Sequence, residues 1–125
     1  PNHYEVRSLL GTDIRVMTLS DMFAHKLCAL GERITPRDIY DVWFFLQNRT
    51  EINAGIVQLR TGLSVSEYAQ QCATQVRSYS SRMLMQGLGE VLLDNQSKNF
   101  ARQQLIPATA SALELFALCP LIAEL

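Results

Sequence analysis

Two alternating stretches open the chain. His3–Ser8 (HYEVRS) and Asp13–Met17 (DIRVM) switch between apolar and polar residues, with Leu10-Gly11-Thr12 between them. A period of two predicts strand, turn, strand. Two strands alone are marginal in water, so residues 1–18 read as the remnant of a larger sheet. From residue 19 the period changes to three or four. Thr18 with Asp21 three residues on marks a helix start. Met22, Phe23, Leu27 and Leu30 then repeat at helical spacing up to Gly31, which suits a C-terminal cap. Thr35, Pro36 and Asp38 open a second helix, expected from Pro36 to about Gln47.

The pattern stays helical beyond it. Glu51–Arg60 is a weaker helix, with Ile52, Ile56 and Leu59 on one side and Gly62 past its end. Ser64 and Glu67 open the longest candidate, Ser66 to about Gln86, whose stripe is Tyr68, Cys72, Val76, Tyr79 and Met83. Gly87-Leu88-Gly89 breaks it. A short apolar piece (Val91-Leu92-Leu93) and a polar helix around Ser97–Gln104 follow. The last helix is expected near Thr109–Leu118, bracketed by Pro107 and Pro120. The expected fold is mainly α, with an α+β remnant: two short N-terminal strands, then a helical bundle over residues 19–125.

Composition narrows the class. With 125 residues and 48% hydrophobic content, the chain fits one compact domain with a real core. A formal net charge of −1 gives no global attraction to nucleic acid or membrane, though a local basic patch is compatible with it. The apolar runs are too short to span a bilayer, and no signal-peptide pattern is present. Cys28, Cys72 and Cys119 are far apart and odd in number, which reads as small buried hydrophobes in a reducing cytosol. A first residue Pro1 rather than methionine suggests a piece of a longer protein.

The chemical signal lies in Phe23–Leu46, FAHKLCALGERITPRDIYDVWFFL. Lys26 falls among the apolar positions of the first helix. Asp38 aligns with Val42, Phe45 and Leu46 on the second, and Asp41 precedes Phe45 by four. Charges drawn toward a greasy face are paired or functional, because burying a lone charge is costly. In an antiparallel hairpin turning near residues 33 and 34, positions summing to about 67 face each other. Lys26 then meets Asp41, with Asp38 one turn nearer the connector. A packing salt bridge and a ligand site both satisfy this geometry. In the second case Lys26, Arg33 and Arg37 suit phosphate oxygens, and a carboxylate can take a proton or hold Mg²⁺. His25 and His3 are read as surface residues, and Trp43-Phe44-Phe45 as core. Arg82, after Ser78-Tyr79-Ser80-Ser81, and Lys98, Asn99 and Arg102 could touch RNA, with solvated helix faces as the default reading.

The run HKLCALGERITPRDIYDVWFFL resembles the lysine-to-RD-x-YD segment of the AbiEii family of nucleotidyltransferases, toxins of type IV toxin–antitoxin and phage-abortive systems. Lys26, Ala29, Leu30, Arg33, Arg37, Asp38, Tyr40 and Asp41 carry the match, which covers roughly residues 13–46. The resemblance implies the C-terminal part of a polymerase-β-like fold that transfers a nucleotide from an NTP, with Mg²⁺, to an acceptor that in some cases is RNA. Lys26 would contact the triphosphate, Asp38 or Asp41 would act as acid/base or positioning group, and Tyr40 would pack. A cognate antitoxin is an implied partner. The family's first motif, Gly-Ser followed by D-x-D or D-x-E, binds the metal; this chain has no Gly-Ser pair and no Asp-x-Asp. No metal ligand is therefore assigned here, and the chain alone is expected to be inactive. Two other readings stand beside this one: a non-catalytic helical module that binds a partner protein, and a regulatory nucleotide-binding domain.

Overall fold

The computed structural model describes residues 4–9, 12–89 and 92–124, with side chains from Met17 onward. The backbones of β1 (Tyr4–Leu9) and β2 (Thr12–Met17) run antiparallel. The side chains of both segments before Met17, and the sheet to which residues 1–18 were assigned, lie outside the described residues. The rest is mainly helical: α1 (Leu19–Glu32), α2 (Pro36–Gln47), α3 (Ala54–Thr61), α4 (Val65–Arg77), α5 (Ser81–Leu88), α6 (Asn95–Phe100), a π-helical turn (Ala101–Leu105) and α7 (Ile106–Leu118).

Helix α1 is the central rod. Phe23, Ala24, Leu27, Cys28 and Leu30 are fully buried, and α2, α3 and α4 pack around it. Its start is held by Thr18, whose hydroxyl accepts from the Asp21 N–H at 3.2 Å. Thr35 does the same for Asp38 at the start of α2, at 3.2 Å, with Pro36 in the first turn. Such caps satisfy N–H groups that have no partner within the helix. Phe23 then joins three helices, stacking on Phe45 of α2 at 5.2 Å and meeting Phe116 of α7 at 5.5 Å.

Helices α4 and α7 form the most extensive helix–helix interface. Ala69 and Ala73 on one side and Ala110 on the other are completely buried there, and small side chains let two helix backbones approach closely. The tail closes the domain. Ile52 gives its N–H to the Leu121 carbonyl at 2.8 Å and takes the Ala123 N–H at 2.9 Å, a parallel bridge to Ile122.

Several expectations are corrected. Gly31 does not cap α1: the helix continues to Glu32 with Arg33 as its cap. A Cβ at position 31 would collide with the Tyr68 hydroxyl and ring, so the glycine is there to let α4 approach. The Tyr68 hydroxyl donates to the Cys28 carbonyl at 2.8 Å. The long helix 66–86 is two helices, because Ser80 turns out of the helix and caps α5 by accepting from the Met83 N–H. Met83 consequently leaves the buried stripe and is exposed. The weaker helix begins at Ala54 after an Asn53 cap, and Val57 rather than Leu59 faces inward; Gly62 ends it at φ 74, as its position predicts.

Pro107 does not separate two helices either. Residues 95–118 run on without a break through the π-helical turn. Proline offers no N–H to the preceding turn, and its ring crowds the carbonyl four residues back. A wider turn just before it relieves both conflicts. Phe44, Met22 and Cys119 are exposed rather than buried.

Gly31→Ala is expected to lower unfolding free energy by about 1–3 kcal/mol, the usual range for overpacking. The loss should shrink in a Tyr68→Phe background, where the hydroxyl is gone. Chemical denaturation of the four proteins checks this; equal losses in both backgrounds would refute the packing account.

Candidate functional site

The hairpin of α1 and α2 brings the charged residues together as their spacing predicts. Lys26 Nζ lies 3.0 Å from Asp41 Oδ2 and 3.4 Å from Asp38 Oδ1. Asp38 is held in turn by the cap at the start of α2, so the helix start fixes one carboxylate and the next turn fixes the other. The cluster sits at an edge of the helix pair, with side-chain exposures of 40% for Lys26, 16% for Asp38 and 32% for Asp41. Lys26 is the most exposed of the three.

The contact with Asp41 is the main cause that raises the Lys26 pKa above its ordinary 10.5; partial burial pulls the other way, and the charges of Asp41 and Asp38 add to the rise. Lys26 is therefore a cation at neutral pH. It can hold an anion, and it cannot accept a proton.

Arg33 caps α1 and Arg37 stands in the first turn of α2. Both are exposed, and neither forms a side-chain hydrogen bond or ion pair with the other described residues. They flank the cluster as available cations without converging on it. Tyr40 is half-buried and packs against Trp43 at 5.8 Å, in keeping with a packing role.

A neighbouring cluster was not foreseen. Arg60 of α3 binds both Glu32 oxygens at 2.9 and 3.1 Å and meets His25 Nδ1 at 2.9 Å. Partial burial, then the Arg60 charge, lowers the His25 pKa. The expected surface histidine is thus half-buried and tied into the α1–α3 contact. Asp21 is wholly buried, and the Asn53 side-chain N–H donates to it at 2.8 Å, joining the starts of α1 and α3. Only long-range packing creates these pairs, and no local spacing announces them.

No group of three or more His, Cys, Asp or Glu side chains with metal-binding geometry occurs among the described residues. None of the helices among the described residues is long and apolar enough to cross a membrane.

The Lys26 pair has a definite pH signature. A raised lysine pKa contributes stability that is fully present below the unfolded value of 10.5 and is lost as pH rises through the folded value. The difference in Tm between the protein and Lys26→Met should therefore be level between about pH 6 and 9 and fade above about pH 10.5. Its size should be modest, about 0.2–1 kcal/mol, because the pair is open to solvent. Thermal melts across this range test it; a difference that fades below pH 9 would contradict the assignment.

No curated protein sequence and no solved structure matches the chain. A family model does, and it extends well beyond the segment from residue 13 to 46. The model described as the nucleotidyl transferase AbiEii toxin of a type IV toxin–antitoxin system matches residues 1–116. Over most of its length, including the helical hairpin that unites Lys26 with Asp38 and Asp41, the chain belongs to the AbiEii family of nucleotidyl transferase toxins.

Proposed function

We propose that this chain is the helical part of a nucleotidyltransferase toxin and supplies part of its NTP site. The observation that supports the reading is the open Lys26–Asp38–Asp41 cluster. Lys26 contacts the triphosphate, exchanging part of its carboxylate contact for phosphate oxygens, and the exposed Arg33 and Arg37 take further phosphate charge.

In the transfer, an acceptor hydroxyl oxygen attacks the α-phosphorus. The bond from that phosphorus to the oxygen of the departing pyrophosphate breaks. Lys26 remains protonated and offsets charge on the phosphates, so the hydroxyl proton goes to a carboxylate, either Asp38 or Asp41. No step is assigned to a metal at these residues; any Mg²⁺ the full enzyme requires is bound elsewhere. The acceptor is an RNA, the partner that restrains the toxin is its cognate antitoxin, and the setting is the cytoplasm.

A second reading, a protein-interaction module with a purely structural Lys–Asp pair, has one observation in its favour. Leu19, Met22 and Phe44 are exposed on the α1–α2 edge, with Leu19 at 63% and Phe44 at 54%. A single experiment separates the two. Transfer from labelled NTPs to RNA by the full-length protein should fall at least about a hundredfold in Lys26→Ala and in Asp38→Ala. Full activity in both variants would leave the interaction module as the better account.

A further inference from the structure

Two cavities are lined in part by residues of α6 and the π-helical turn. On the α2 side, Tyr40, Trp43 and Phe100 wall a small cleft whose mouth carries Gln96 and Ser97. The rings pack at a tilt, with Trp43 and Phe100 at 5.0 Å and 46°. They form walls of an opening rather than a closed stack. On the α5 side, Arg82 and Arg102 line a second, shallow cavity with Met85 and Gln86.

These arginines carry no carboxylate partner among the described residues; Arg102 reaches only the Asn99 side-chain carbonyl, at 3.3 Å. Lys98 is equally unpaired, and Arg37 lies one helical turn before Tyr40. The acids nearest the aromatic cleft in sequence are already engaged: Asp38 and Asp41 face Lys26, at 3.4 and 3.0 Å, and Asp94 is taken up by Ser97, whose N–H and hydroxyl donate to it at 2.7 and 2.9 Å. The Gln96 carboxamide has no side-chain partner among the described residues. It offers both a donor and an acceptor, as recognition of a base edge requires.

We infer that a single strand of nucleic acid lies across α6 and the π-helical turn, one base in the Tyr40–Trp43–Phe100 cleft and its phosphates on Arg82 and Arg102. Aromatic side chains bind unstacked bases through ring faces, while basic groups follow the backbone. This surface is separate from the Lys26 cluster, on the other shoulder of α2. The inference rests on the proposed function only in naming the strand as the acceptor.

The test is fluorescence anisotropy of a labelled, mixed-sequence single-stranded RNA with the full-length protein across a salt series, without NTP or divalent metal. Arg82→Ala/Arg102→Ala should weaken binding and reduce the slope of log affinity against log salt by about 1.4, the value for two phosphate contacts on a single strand. Tyr40→Ala should weaken it about tenfold through lost stacking, with the slope retained. Gln96→Ala, at an exposed position, keeps the cleft testable if Tyr40→Ala fails to fold. Unchanged affinity and slope in the double arginine variant would overturn the inference. So would equal binding of a blunt RNA duplex, or a preference for an acidic peptide over RNA. If Tyr40→Ala and Gln96→Ala weaken labelled NTP binding and spare RNA, the cleft holds the base of the nucleotide substrate, and the acceptor assignment falls. Because the readout needs no transfer, it is independent of the Lys26→Ala result.

Discussion

The domain depends on how closely α4 can approach the last turns of α1. At that crossing Gly31 leaves room for the Tyr68 ring, and the Tyr68 hydroxyl reaches the Cys28 carbonyl. Cys72 follows one turn later, its thiol 3.8 Å from the Leu27 carbonyl. Burial holds both groups in their neutral forms, with the Cys72 thiol pushed up to about 12 and the Tyr68 hydroxyl raised as well. A helix end lodged so firmly on one side leaves α1 free to turn its other shoulder to α2. The Lys26 edge is a product of that orientation.

The hairpin was legible because its chemistry is local. Lys26 and the two aspartates lie within fifteen residues of each other, and a cap on each side fixes the phase of both helices. Once the connector is short, the facing positions follow from arithmetic. The other contacts had no such handle. Arg82 and Arg102 come together only after α5 has packed on the π-helical turn, and Arg60 reaches Glu32 only after α3 has docked on α1. Nothing in their spacing distinguishes them from ordinary solvated cations.

Some signals were read with the wrong cause. A glycine near a helix end resembles a cap, yet at position 31 the deciding factor is a ring from a helix far along the chain. The Tyr68-to-Met83 stripe suggested one helix, but hydrophobic spacing does not reveal that serines can stop a helix and start the next. Cys119 and Phe44 look like core residues by type; Phe44 sits on the outer face of α2, and Cys119 lies just past the end of α7. The family match extends to residue 116, past the segment whose spacing is informative.

The π-helical turn has a consequence for how this surface can vary. Its extra residue rotates everything before it relative to everything after it by roughly 100° compared with an unbroken α-helix. Helix α7 can therefore stay locked on α4 while α6 faces a direction of its own. Removing one of the exposed residues 102–104 would swing Phe100 away from Trp43, and would also throw the buried Ala101 out of phase with the buried Leu105. The turn is thus a phase joint. One residue gained or lost there re-aims the aromatic cleft relative to α7.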